Sequence, residues 1–118
     1  MLIVERDPRV LAALHQTINI EPDLLVIGEA RDAATAVVIT ANSGPCVVLM
    51  EVLLPDEKTG LELLKILADQ PGQVVVAMSI WGSLRCAALQ AGAAAFVDKD
   101  SNIDALLHAV RTAGNSLV

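Results

Sequence analysis

Apolar residues fall into two patterns along the chain, and glycine, proline and aspartate separate them at regular intervals. Residues 1–4, 46–50 and 74–78 are unbroken apolar runs of strand length. Residues 24–27 and 94–97 are two weaker ones. Between the runs lie stretches with helical spacing. Asp7-Pro8 reads as an N-cap followed by proline at the first helical position, and Val10, Leu11, Leu14 and Ile18 then recur on one face. Glu21-Pro22-Asp23 ends that helix. Asp32 is the expected cap of a second over residues 33–41, closed by Asn42-Ser43-Gly44-Pro45. Residues 51–60 read as a charged loop, 61–68 as a third helix and 83–91 as a fourth, shallowly packed and stopped by Gly92. Ser101 is the expected cap of the last helix, with Ile103, Leu106, Leu107 and Val110 on one face and Asp104 near a capping-box position.

Five strands therefore alternate with five helices. The central strands show no polar alternation, the pattern of strands covered on both faces. Short connections and right-handed crossovers then favour an α/β fold with a doubly wound parallel sheet. No repeat, linker or low-complexity stretch interrupts residues 1–118, which read as a single domain.

Composition narrows the picture. Hydrophobic residues are 54% of the chain and charged residues 19%, which excludes a disordered segment. Trp81 and Phe96 are the only aromatics, so the core must be aliphatic. The formal charge is −6, and a surface that neutralises phosphates would need the opposite sign; no direct nucleic-acid contact is expected. No apolar run reaches the roughly 20 residues of a membrane span. Acids and a proline follow Val4 at once, unlike a signal peptide. Cys46 and Cys86 lie in apolar segments without metal-ligand spacing, so a reduced, cytoplasmic setting is expected, with Cys86 a small buried hydrophobe.

In such a sheet, ligands bind beyond the carboxyl ends of the strands. Glu5-Arg6-Asp7 follow the first strand, Glu51 the third, Ala77, Met78 and Ser79 the fourth, and Asp98-Lys99-Asp100 the fifth. Ionisable groups thus converge on one edge.

The order of these residues resembles the receiver domain of bacterial response regulators along the whole chain. Val47-Val48-Leu49-Met50-Glu51-Val52-Leu53-Leu54-Pro55 with Gly60-Leu61-Glu62-Leu63 is similar to the segment carrying the phosphorylatable aspartate. Ala91-Gly92-Ala93-Ala94-Ala95-Phe96-Val97-Asp98-Lys99-Asp100 resembles the fifth strand and its lysine, with Phe96 at the switch-aromatic position. Leu2-Ile3-Val4-Glu5-Arg6-Asp7-Pro8 matches the strand bearing the acidic pair. Leu25-Val26-Ile27-Gly28-Glu29-Ala30 resembles receivers joined to helix-turn-helix outputs. The resemblance implies a flavodoxin-like sheet of strand order 2-1-3-4-5 with five helices. It also implies a histidine kinase and a fused or separate output domain as protein partners.

In the family an aspartate accepts the phosphoryl group, two acids help to hold Mg²⁺, and a hydroxyl and a lysine contact the phosphate. Here the acceptor position is Glu51, the acidic pair is reduced to Glu5 beside Arg6 and Asp7, and a gapless count from Gly92 puts Ala77 at the hydroxyl. Lys99 is retained, and the loop between Pro55 and Gly60 has one extra residue. The extra methylene of glutamate displaces the nucleophilic oxygen by roughly 1 Å, a misplacement that can cost about 10²-fold in rate. Arg6 brings a cation where a hard divalent ion wants oxygen ligands, so Mg²⁺ binding is expected to be weak or absent. Ala77 has no hydroxyl with which to read a phosphate. A receiver that acts through protein contacts without the usual phosphorylation is the first reading, with Glu51 held statically by Arg6 and Lys99.

The alternatives are a phospho-accepting receiver, one held constitutively active by Glu51 as a phosphoaspartate mimic, and, from another class, a flavodoxin-like cofactor binder. That last needs a phosphate loop where this chain has Glu5-Arg6-Asp7-Pro8. Small residues on the fourth helix, with Ala105, Ala109 and Ala113 on the fifth, predict a homodimer through one of the helical faces that include them. Ser79 reads as a loop serine, Asp56 as a solvent-facing acid, and His15 and His108 as surface residues. Trp81 reads equally as core or as an exposed partner contact.

Overall fold

A computed structural model describes residues 1–117; Val118, the last residue of the expected domain, lies outside the described residues. Five parallel strands form one sheet of order β2-β1-β3-β4-β5. They are β1 (Leu2–Val4), β2 (Gly28–Ala30), β3 (Cys46–Glu51), β4 (Gln73–Ser79) and β5 (Ala95–Asp98). The helices between them are α1 (Pro8–Asn19), α2 (Ala33–Ser43), α3 (Glu57–Asp69), α4 (Arg85–Gln90) and α5 (Ile103–Asn115). The expected doubly wound architecture and strand order are both present.

Alternation along the strands splits the core into two layers. Leu2, Val4, Val48, Met50, Val75, Ala77 and Phe96 pack with Ala36 of α2, Leu63, Leu64 and Leu67 of α3, and Ala88 of α4. Ile3, Val47, Leu49, Val76, Met78 and Val97 pack on the other face with Leu11 and Ile18 of α1 and Leu106, Val110 and Ala113 of α5. Every β3 residue is buried, as its unbroken apolar run requires. Truncating any of these large aliphatic side chains to alanine would cost about 2–5 kcal/mol. Among the described residues no helix is long and apolar enough to cross a membrane.

The sequence reading needs four local corrections. The second strand is not residues 24–27 but Gly28–Ala30, because β1 pairs Leu2 with Gly28 and leaves residues 24–26 beyond its amino end. The third helix starts at Glu57 rather than Leu61, since the Asp56 carboxylate accepts from the Thr59 amide and caps it. Its Gly60 lies against β3's exit: a Cβ there would stand 1.4 Å from the Val52 carbonyl oxygen. A 3₁₀ turn over Gly82–Leu84 delays α4 to Arg85. That phase turns Leu84 and Ala88 inward and leaves Cys86 exposed instead of buried. Finally, Asn102 rather than Ser101 caps α5, accepting from the Ala105 amide.

Candidate functional site

The strand order sets β1 between β2 and β3, so the residues that follow β1 and β3 at their carboxyl ends are neighbours. Glu5 and Glu51 project there and are almost wholly buried, 2% and 5% exposed. Lys99, directly after β5, reaches across to both. Its Nζ donates to Glu5 Oε1 at 2.5 Å and to Glu51 Oε1 at 3.0 Å. One ammonium thus holds two buried carboxylates. The backbone anchors this arrangement: the Lys99 amide donates to the Ser79 carbonyl, the Glu5 amide to that of Ala30, and the Val52 amide to that of Met78.

Two anions against one cation leave a net charge of −1 in the pocket. The second Glu51 oxygen, Oε2, is buried without a hydrogen-bond partner. Burial pushes the Glu51 carboxyl up from the ordinary glutamate value; Lys99 draws it part of the way back, while Glu5 adds repulsion. For Lys99 the largest single influence, burial, opposes its charge. The two carboxylates together outweigh it and raise the amine above its ordinary value.

The other two residues of the expected pocket turn elsewhere. Arg6 does not hold Glu51: its Nη1 contacts the Pro55 carbonyl at 3.4 Å at the surface. An exposed guanidinium there keeps its hydration, whereas burial beside Glu51 would have required stripping it. The Arg31 Nε in turn donates to the Arg6 carbonyl. Asp7 caps α1, accepting from the Arg9 amide, a bond that holds its carboxyl below the usual aspartate range. Its own amide donates to Glu5 Oε2, so Asp7 orients Glu5 through the backbone. Among the described residues no three His, Cys, Asp or Glu side chains gather closely enough to hold a metal ion. Glu5 and Glu51 are the two carboxylates of the pocket, and both point at Lys99.

Ala77 is fully buried on β4, paired in register with Met50 and Phe96. Phe96 is buried in the same layer, and the Arg85 guanidinium lies 5.3 Å from its ring centroid. Ser79 is not a loop serine but the last residue of β4, fully buried, and its Oγ accepts from the Trp81 amide. Trp81 is 55% exposed, and His108 is exposed. His15 is partly exposed and contacts the Glu29 carboxylate. Sequence reasoning missed the Glu5–Lys99 bond. The signal was present, since any acid after β1 in this strand order lies beside the exit of β3.

Comparison with known proteins matches residues 1–111 to the family described as response regulator receiver domain. The chain is 29% identical over 117 residues to the transcriptional regulatory protein DesR of Bacillus subtilis, covering 98% of this chain and 58% of that one. It is 33% identical over 103 residues to protein-glutamate methylesterase/protein-glutamine glutaminase 4 of Myxococcus xanthus, covering 84% and 29%. The response regulator domain of Thermotoga maritima CheB superposes with a TM-score of 0.84 at 26% identity, covering 97% and 94%. The chain therefore spans well under two thirds of the length of these two curated relatives.

Proposed function

The chain belongs to the response regulator receiver domain family, and from that premise we propose that it is a non-enzymatic receiver working through protein contacts without the usual phosphorylation cycle. The observation that carries this reading is the Glu5–Lys99–Glu51 triad. Lys99 already pairs with both carboxylates that a metal would need, and Glu51 stands at the acceptor position with its carboxylate engaged. Phosphoryl transfer depends on positioning and on a cation that offsets developing charge. Mg²⁺ would have to displace a lysine held by two buried carboxylates, and beside Glu5 it would find no second acid, since Arg6 occupies that position and turns out to the Pro55 carbonyl. Weak or absent Mg²⁺ binding belongs to the proposal.

Glu51 as a permanent phosphoaspartate mimic is the weaker reading. A carboxylate carries one charge where a phosphate brings nearly two, and the methyl of Ala77 offers no donor to read it. The triad works instead as a fixed tether between the exits of β1, β3 and β5.

A domain so fixed signals by what it presents. Ile80, Trp81, Leu89 and Ile103 are exposed around the β5 edge, and an amphipathic aromatic such as Trp81 suits a partner contact. The proposed partners are an output module, fused or separate, and a histidine kinase, in a cytoplasmic setting; nucleic acid would be contacted only through the output module.

The test is incubation with a small-molecule phosphodonor and Mg²⁺ followed by intact mass, with magnesium calorimetry in parallel. No phosphoryl adduct and no binding heat are expected. An adduct that disappears in Glu51→Gln would overturn the reading.

A further inference from the structure

Helix α3 presents an alternating line of charge to solvent. Lys58, Glu62, Lys65 and Asp69 are all exposed, and their spacing of four, three and four residues puts them on one stripe. Charges so spaced on a solvated helix commonly pair with one another. Here none of the four forms an ion pair within the chain among the described residues. The stripe is also self-complementary. Laid antiparallel on a second α3 about a two-fold midway between Glu62 and Lys65, the order plus, minus, plus, minus meets its own reverse. Glu62 then faces the second copy's Lys65, and Lys58 faces its Asp69, each twice by symmetry.

Beside the stripe the surface is apolar. Ile66 is 51% exposed, and with Ala33, Val37 and Leu63 it lines a shallow groove of about 450 Å³ between α2 and α3. Helix α2 carries no ionisable residue, and its Val38 is exposed. The same two-fold brings both Ile66 side chains and both grooves to one side of the helix pair. An apolar patch flanked by complementary charge is the make-up of a protein interface.

We propose that this α2–α3 face is a self-association surface whose occupant is a second copy of the chain, docked antiparallel through α3. The small residues of α4 and α5, on which a homodimer was expected from the sequence, carry no comparable charge code. The inference does not depend on whether Glu51 can be phosphorylated.

Sedimentation velocity of the full chain at low salt tests it. The parent is expected to dimerise in the micromolar to high-micromolar range, and added salt should weaken the dimer. Glu62→Lys and Lys65→Glu each set like charges opposite one another twice, so each alone should weaken association about tenfold or more. Mixed together, these two variants are complementary again and should form a heterodimer. The double variant E62K/K65E should regain self-association. Circular dichroism establishes that each exposed-site variant is folded. A parent that stays monomeric at high concentration would overturn the proposal. So would a dimer indifferent to the single reversals, or mixed variants that fail to pair.

Discussion

Ala77 and Phe96 stand opposite one another across the β4–β5 ladder, and both are buried in the same apolar layer. A methyl group is all the side chain that β4 puts beside the ring. Phe96 is thereby settled inward, with Arg85 over its face. Enlarging residue 77 must push against that ring. Ala77→Val is expected to cost about 2 kcal/mol by overpacking, and Phe96→Ala about 3 kcal/mol or more by leaving a cavity. The double variant should lose less than the sum, by about 1 kcal/mol, because the added methyls enter the vacated space. Urea denaturation of the four proteins measures the coupling; strict additivity would mean that the two side chains do not share the space.

The triad predicts a specific pH dependence. Glu51 binds its proton more tightly in the folded chain than at the ordinary value of 4.5. Between 4.5 and the raised folded value the native state holds more protons than the unfolded state, so stability falls as pH rises through that window. Glu51→Gln removes this slope and leaves Lys99 paired with Glu5. Lys99 has the same sense in a higher window: its contribution is complete below 10.5 and is lost as pH rises through its raised folded value. Lys99→Met abandons two buried carboxylates and should cost about 3 kcal/mol at pH 7, less in acid as one of them protonates. Denaturation midpoints across a pH series distinguish these curves; a Lys99→Met loss that does not shrink in acid would contradict the assignment.

Gly60 sets where α3 can lie. With a Cβ 1.4 Å from the Val52 carbonyl oxygen, any side chain at residue 60 must separate the helix from the exit of β3. The obstacle is backbone, so no rotamer relieves it. Gly60→Ala is expected to lose about 4 kcal/mol or more, despite the usual preference for alanine in a helix. Gly44→Ala makes the contrast: nothing lies within 4 Å of its Cβ position, and only its φ of 70° opposes the change. A Gly60→Ala protein as stable as the parent would refute the close approach.

Much of this was legible before any coordinates. The apolar runs at β3 and β4 declared strands covered on both faces, and Asp7-Pro8 and Asp32 marked helix starts that the structure keeps. Boundaries failed where a tertiary partner outweighed local pattern. Residues 24–27 look like a strand, but β1 offers pairing only further along. Gly60 looks like a breaker, yet it is the residue that lets α3 cross β3's exit. At the site, the convergence of Glu5, Glu51 and Lys99 could be read from strand ends. The outward turn of Arg6 could not, because hydration rather than sequence spacing decides where a guanidinium points.

If the proposed lack of phosphorylation is a matter of three side chains, supplying the family's residues at those positions should supply its chemistry. Glu51→Asp draws the nucleophilic oxygen back by roughly 1 Å, a shift that can be worth about 10²-fold. Alone it should achieve little, since position 6, whose arginine turns out to the Pro55 carbonyl, still offers a divalent ion no oxygen ligand. Arg6→Asp removes that charge and adds the ligand; because Arg6 lies at the surface on the Pro55 carbonyl, the fold should tolerate it. Ala77→Ser supplies a small hydroxyl at a position that accepts little added volume. The triple variant is therefore expected to bind Mg²⁺ and take up a phosphoryl group from a small-molecule donor, with Lys99 released from Glu51 to meet it. Intact mass with and without Mg²⁺ reads the result for each single, double and triple variant. A triple variant that takes up neither Mg²⁺ nor a phosphoryl group would place the block elsewhere, in the Glu5–Lys99 bond or in the segment between Pro55 and Gly60.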